Sequence, residues 1–160
     1  MDWIGINYTR LNAHLLRTNF QSLAHPTVVK NPLAPPRFRE SVLIAAGWKP
    51  GWSTDYCATL LASSLGATTV LNLSDVDYVY TADPRKDPDA VPLPKLEWKV
   101  FRSMIGNRWD PGANVPFDPV AAELAERLGL TVKMIKGRAL GDIAKALDGK
   151  AFAGTVIRGE

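Results

Sequence analysis

The sequence has very few of the residues that build disulfide scaffolds and metal centres. Among its 160 residues there are one cysteine and two histidines. The lone Cys57 cannot form an internal disulfide, and no cysteine–histidine cluster is available for a metal ion. A disulfide-rich scaffold and a zinc-type centre are therefore excluded, and a reducing cytoplasm is the expected compartment.

Long apolar runs and a strong net charge are also missing. No apolar stretch approaches the roughly 20 residues that cross a bilayer, and the start does not resemble a signal peptide. Nineteen Lys and Arg against sixteen Asp and Glu leave a charge of +3, from basic residues scattered along the chain. Neither a membrane nor a nucleic acid is expected as a partner. The 46% of hydrophobic residues predicts one globular core.

Hydrophobic periodicity, proline and glycine predict an alternation of helices and strands. The predicted helices are 2–20, 53–65, 96–105, 118–128 and 140–147, and the predicted strands are 42–46, 68–73, 130–135 and 154–157. A proline-rich connection covers 25–39, and 74–94 is predicted to be irregular. Alternation of this kind favours an α/β fold with a mainly parallel sheet. Ligands then bind beyond the carboxyl ends of strands, here after residues 46 and 73.

The first such segment runs from Gly47 to Asp55. Its glycines allow the backbone to approach a ligand closely, and Ser53 and Thr54 are good residues to cap the next helix. The N–H groups of a helix N-terminus attract phosphate. A plain capped turn is an equally good interpretation, and the P-loop pattern is absent.

The second segment, 74–88, is rich in aspartate. Carboxylates near a strand end organise Mg²⁺, a lysine or ribose hydroxyls. Aspartates before proline also form turns by bonding their own backbone, which is the favoured interpretation for Asp87. For Asp77 and Asp83 both alternatives stay open. Cys57 is predicted to be a packing residue, and the loop Asp110–Asn114 has no assigned role.

Together the two segments resemble the amino acid kinase family, and within it the uridylate (UMP) kinase branch. That branch has a glycine-containing loop ending in Thr-Thr-Asp, followed by Val-Asp-Gly-Val-Tyr-x-x-Asp-Pro. Here the corresponding residues are 47–55 and 72–84. The first helix, with Asp2, Gly5 and 9–13, is similar to the UMP-site helix of the branch.

The resemblance implies roles for individual residues. It implies UMP binding by Asp2, Gly47, Lys49, Ser53 and Thr54. It implies ATP binding by Ser74, Tyr80 and Asp83, with the Tyr80 ring near the adenine. Asp55 and Asp77 match acidic residues implied to take part in the catalysis, Asp55 by orienting a phosphate-binding lysine, and no residue is assigned to a metal.

The implied fold is a three-layer αβα sandwich of the amino acid kinase type that lacks the first βα units. Residues 1–160 are expected to form a single partial domain. Within it, 1–39 carry the UMP-site-like helix and the proline-rich connection, and 40–160 form the nucleotide-binding half. Tyr78 departs from the pattern, because the family usually has glycine there. Trp48 and Trp52 also make the first loop bulkier.

The implied activity is ATP + UMP → ADP + UDP with Mg²⁺, in pyrimidine nucleotide supply, by a homo-oligomer that is a hexamer in this branch. The family's opening strand, with its glycine-rich phosphate loop and lysine, has no counterpart in the resemblance. These 160 residues alone are therefore expected to bind nucleotide better than they transfer phosphate. The alternatives are a non-catalytic nucleotide- or oxyanion-binding protein of the storage type, or another small-molecule kinase of the family.

Overall fold

The computed structural model describes residues 2–106 and 115–159, so the loop Asp110–Asn114, for which no role is assigned, lies outside the described residues. The chain divides into two compact units, Met1–Ala67 and Thr68–Glu160. No helix in the described ranges has the length and apolar character needed to cross a membrane. The division of one domain at residue 39 stays a prediction.

The first unit contains two helices, both close to their predicted bounds. Helix α1 spans Asp2–Asn19 and helix α2 spans Thr54–Leu65. Ser53 caps α2, since its side chain accepts a hydrogen bond from the N–H of Tyr56 at 3.0 Å. Gly66 ends the helix in the left-handed conformation, with φ of 69°. Capping chemistry therefore fixes both ends of α2.

The predicted strand 42–46, expected to be buried on both faces, is wrong as a regular strand. The structure has only two isolated parallel bridges here, Ala24 to Val42 and Val29 to Ala45. The two bridges are separated by five residues in the segment 24–29 but by only three in the segment 42–45. The two segments therefore cannot pair continuously between the bridges. Pro26, which has no N–H to donate, lies in the longer segment. Ala45 is exposed, while Ile44 is buried.

A small apolar core holds α1 to these extended segments. Its buried members are Ala13, Ala24, Val28 and Ile44, with Val42 and Ala46 packed against them. The small side chain of Ala13 on α1 allows the extended segments to come close to the helix. The core thus fixes the start of the loop that follows Ala46.

The second unit is built on a four-stranded sheet in the order β1-β5-β6-β4. Its elements in chain order are β1 Thr69–Ser74, β2 Val79–Tyr80, β3 Pro92–Leu93, β4 Lys95–Glu97, α3 Trp98–Ile105, α4 Pro119–Arg127, β5 Thr131–Lys136, α5 Leu140–Leu147 and β6 Thr155–Arg158. The pairs β1–β5 and β4–β6 are parallel, and β5–β6 is antiparallel. The prediction of a mainly parallel sheet is confirmed.

Two details of the second unit differ from the sequence prediction. The helix predicted from residue 96 begins at Trp98, because Lys95–Glu97 pairs with β6 as a strand. The segment predicted to be irregular contains the antiparallel pair β2–β3. Strands of two or three residues are too short for a periodic pattern, and their pairing partners are distant in the sequence.

Aromatic residues fill the core of the second unit. Trp98, Phe101 and Phe117 are almost completely buried, and the indole N–H of Trp98 donates to the carbonyl of Leu130 at 2.9 Å. Asp118 caps α4, because its carboxylate accepts from the N–H of Val120 at 2.8 Å. This core positions the carboxyl ends of β1 and β5, where Ser74 lies beside Lys136.

Candidate functional site

A pocket of about 350 Å³ lies in the second unit, beyond the end of β1. It is lined by 74–76 and 78–85, by Met104 and Ile105, and by Val115 and Pro116. The three predicted ATP-binding residues, Ser74, Tyr80 and Asp83, all belong to this lining. The structure therefore brings them together at the strand end that the α/β pattern indicated.

Asp77 holds the ring of Tyr80 in place. The phenol O–H of Tyr80 donates to Oδ1 of Asp77 at 2.9 Å. This hydrogen bond raises the pKa of Tyr80, because it favours the protonated phenol beside a carboxylate; desolvation and the charge of Asp77 add to the effect. Asp77 thus acts on the neighbouring aromatic ring and is not itself in the pocket lining.

The short strand β2 is anchored in the protein interior. Val79 is 3% exposed, and its N–H donates to Oγ1 of Thr155 at 2.9 Å. The Thr155 hydroxyl donates in turn to the carbonyl of Leu93 at 2.7 Å. Because side chains alternate along a strand, an inward Val79 leaves its neighbour Tyr80 on the other side. Tyr80 and Tyr78, which directly precedes β2, both line the pocket.

Charged side chains lie along the same pocket. Arg85 donates to Oδ2 of Asp75 at 3.0 Å, in a pair exposed to solvent. Asp83 accepts from the backbone N–H of Arg85 at 3.0 Å, and Asp87 accepts from the N–H of Asp89 at 3.0 Å. Both aspartates therefore close turns, as the sequence allowed, but only Asp83 lines the pocket.

The predicted UMP-binding loop lies in the first unit and is bound to α1. The N–H of Gly47 donates to Oγ1 of Thr9 at 2.8 Å, and that of Gly51 donates to Oδ2 of Asp2 at 3.2 Å. Arg10 donates to the carbonyl of Trp48 at 3.1 Å. A Cβ on Gly47 would come within 2.9 Å of the Thr9 hydroxyl oxygen. The glycine is thus required by the close approach of loop and helix.

The remaining predicted residues of that unit lie around the start of α2. Ser53 is the N-cap, and Thr54 and Asp55 are in the first turn. Thr54 and Gly47 line a second pocket of about 180 Å³, together with the buried Cys57. The Lys49 ammonium group lies over the Trp48 ring, 4.1 Å from its centroid. Lys49 itself is exposed and not part of this lining.

The predicted residues form two groups, one in each unit. Asp2, Gly47, Lys49, Ser53, Thr54 and Asp55 belong to the first, and Ser74, Asp77, Tyr80 and Asp83 belong to the second. Sequence reasoning did not identify Tyr78 or Thr155 as parts of the second site. Tyr78 was noted only as a departure from a pattern. Within the described ranges, no three His, Cys, Asp or Glu residues are grouped so that they could hold a metal ion.

The family model and the known proteins that resemble this chain all point to one family. The family model described as the amino acid kinase family matches residues 1–136. A uridylate kinase of Methanoculleus marisnigri is 34% identical over 159 residues, which cover 98% of this chain and 68% of that protein. A uridylate kinase of Hyperthermus butylicus is 32% identical over 160 residues, covering 99% and 70%.

Solved structures agree with the fold. The crystal structure of a uridylate kinase from Archaeoglobus fulgidus superposes with a TM-score of 0.81 at 35% identity, covering 98% of this chain and 71% of that one. A UMP kinase from Bacillus anthracis has a TM-score of 0.76 at 23% identity, covering 97% and 67%, and supports the fold alone. The predicted α/β fold of the amino acid kinase type is confirmed. With a family model matched over most of its length and relatives above 30% identity, the chain belongs to the amino acid kinase family.

Proposed function

We propose that this chain is a nucleoside monophosphate kinase that transfers the terminal phosphoryl group of ATP to UMP, giving ADP and UDP in pyrimidine nucleotide supply. The observation that carries the proposal is the pocket in which Ser74, Tyr80 and Asp83 meet beyond β1. Relatives that are 32–35% identical are named uridylate kinases. We place the reaction in the cytoplasm, as the cysteine content suggested.

The pocket of the second unit is proposed to bind ATP. The half-buried ring of Tyr80 offers a face for the adenine, and the hydrogen bond to Asp77 holds the phenol end of that ring in position. Asp83 offers a carboxylate to ribose hydroxyls, and Ser74 offers a hydroxyl at the strand end. The volume of about 350 Å³ is in the range of sites for small ligands.

The loop 47–51 and the start of α2 are proposed to bind UMP. Three hydrogen bonds between the loop and α1 fix the loop before a ligand arrives. The first N–H groups of α2 carry the partial positive charge of the helix dipole, which suits the phosphate of UMP. Asp55, in that first turn, is proposed to orient a cationic group toward the phosphates.

Magnesium is proposed to come with ATP. Mg²⁺ in kinases is usually held by phosphate oxygens, water and one or two carboxylates, so it needs no preformed cluster in the protein. Asp75 fits this requirement, because its exposed carboxylate lines the pocket and its partner Arg85 is also exposed. When bound, the ion neutralises charge on the phosphates during transfer. The chain itself supplies positioning, through the anchored loop 47–51 and the Tyr80 ring.

Self-association is part of the proposal. One face of α1 carries Ile4, Tyr8, Leu11 and Leu15, each between 62 and 65% exposed. Their spacing of four, three and four residues places them on a single helical stripe. A contiguous exposed apolar stripe is typical of a protein–protein interface. We propose that a second copy of this chain covers it.

The test is equilibrium binding of ATP and of UMP, each measured separately by calorimetry, followed by an assay of UDP formation with Mg²⁺. Binding of both nucleotides, with UMP preferred over CMP, would support the proposal. Carbamate, glutamate and isopentenyl phosphate serve as competing acceptors in the same assay. Transfer to one of these instead of UMP would identify another kinase. A folded protein that binds neither nucleotide would overturn the proposed function.

A further inference from the structure

The pocket beyond β1 contains a second tyrosine, Tyr78, beside Tyr80. In the pattern that residues 72–84 resemble, the position of Tyr78 is a glycine, so this chain has a bulky ring where that pattern has no side chain. The ring is half-buried and belongs to the pocket lining. A glycine at this position would leave that part of the wall open.

Tyr78 contacts the ring that is expected to receive the base. The centroids of Tyr78 and Tyr80 are 6.3 Å apart, and the two ring planes meet at 85°. This is the edge-to-face arrangement that aromatic pairs favour. Two perpendicular rings form a corner, with one face available for stacking and the other ring closing one side.

The corner is held from two directions. The Tyr80 phenol is bound to Asp77, and the backbone between the two rings is bound to Thr155 through Val79. A ring pair fixed in this way loses little conformational freedom when a ligand binds, which favours affinity.

From this geometry we infer that Tyr78 is a base-binding residue of the nucleotide pocket, and that it selects for ligands with a planar base. This inference rests on the proposed function, since it assumes that the pocket binds a nucleotide. Tyr78 acts by packing against the edge of the base and by holding the Tyr80 ring perpendicular to its own ring, so that the base can stack on Tyr80. The phosphate end of the ligand gains nothing from this ring.

The experiment compares Tyr78→Gly and Tyr78→Phe with the wild-type chain, and uses Phe20→Ala as a control. Phe20 is 40% exposed just beyond the end of α1, in the other unit, so its replacement removes an aromatic ring without touching the pocket. Binding of ATP and of inorganic tripolyphosphate is measured for each protein. Thermal unfolding confirms that each variant is folded.

We expect Tyr78→Gly to weaken ATP binding by roughly three- to tenfold, the range of one aromatic contact. Tripolyphosphate binding should stay unchanged, and Tyr78→Phe should keep the wild-type affinity for ATP. Equal ATP binding by wild type and Tyr78→Gly would overturn the inference while leaving the proposed function intact. An equal loss for ATP and tripolyphosphate would also overturn it, because the effect would not depend on the base. Failure of the wild type to bind ATP at all would overturn the proposed function itself, and the inference with it.

Discussion

The backbone N–H of Val79 and the side-chain oxygen of Thr155 are joined by a hydrogen bond of 2.9 Å, between residues 76 positions apart in the sequence. Thr155 is completely buried, and its hydroxyl also donates to the carbonyl of Leu93. One hydroxyl thus ties both strands of the β2–β3 pair to β6, because Val79 and Leu93 face each other in that pair.

Replacing Thr155 by valine should therefore destabilise the second unit. The change keeps the shape but leaves the buried N–H of Val79 without its partner, at a cost of about 1–3 kcal/mol. Thr155→Ser is the matched control, because it keeps the hydroxyl and loses only a methyl group. Urea unfolding gives the free energy of unfolding of both variants. A Thr155→Val variant as stable as the serine variant would contradict the importance of this bond.

Gly47→Ala should destabilise the first unit. The new Cβ would lie 2.9 Å from the Thr9 hydroxyl oxygen, so either the Thr9 side chain, which accepts from the Gly47 N–H, or the loop itself must shift. Overpacking of this kind costs about 1–3 kcal/mol. Gly5→Ala is the control, because a Cβ at Gly5 meets nothing within 4 Å and alanine favours a helix by up to about 1 kcal/mol. In thermal unfolding, the melting temperature should fall for Gly47→Ala and rise for Gly5→Ala.

The long elements of this fold could be predicted from the sequence, but the short ones could not. Helix α5 has clear amphipathic periodicity, α4 has Asp118 and a proline at its start, and α2 has Ser53 and Gly66 at its two ends. The strand β4 and the pair β2–β3 depend on partners far along the chain, which local patterns do not reveal. The same limit applies to the segment 42–46, where a mismatch in length with 24–29 interrupts the ladder.

The candidate site was predictable to a similar extent. Ser74, Tyr80 and Asp83 follow a buried strand directly, so their grouping in one pocket follows from the position of the strand end. The contribution of Thr155 could not be predicted, because nothing in the sequence around it indicates contact with Val79. Composition and spacing left open whether Asp77 and Asp83 form turns or bind a ligand, and of the two only Asp83 lines the pocket.

Tyr80→Ala and Asp83→Ala should each weaken the binding of an ATP analogue about fivefold or more. The first removes a ring for stacking and the second removes a hydrogen-bond acceptor, each worth on the order of 1 kcal/mol. Asp87→Ala is the control for the second, because Asp87 closes a similar turn outside the pocket lining. Fluorescence titration gives the affinities. Unchanged affinity in both pocket variants, with the fold intact, would rule out the proposed ATP site.

Glu40 should make the stability of the first unit depend on pH in the acid range. The pKa of Glu40 lies below its ordinary value of 4.5. The cause is a set of hydrogen bonds to its carboxylate, from its own backbone N–H, from the side chain of His25 at 3.1 Å and from the backbone N–H of Arg39. Because the pKa is lower in the folded state, ionised Glu40 stabilises the fold above pH 4.5. This stabilisation is lost as the pH falls through the pKa that Glu40 has in the folded state. Glu40→Gln should therefore be less stable than wild type at pH 6, with the difference disappearing in strong acid. A difference that stays constant across urea titrations at several pH values would contradict this.

Charged residues on the exposed stripe of α1 should prevent self-association. Leu11 and Leu15 are each 64% exposed and lie on the same face as Ile4 and Tyr8. A buried leucine contributes about 1.5–3 kcal/mol, so Leu11→Glu and Leu15→Glu together should raise the dissociation constant more than tenfold. The matched control changes Leu140 and Leu147 of α5 to glutamate, because these leucines are 75% and 70% exposed but lie outside the stripe. Sedimentation velocity across a range of concentrations gives the mass of each protein. A wild-type chain that stays monomeric throughout, or a stripe variant that associates as well as the wild type, would show that α1 is not where copies of this chain meet.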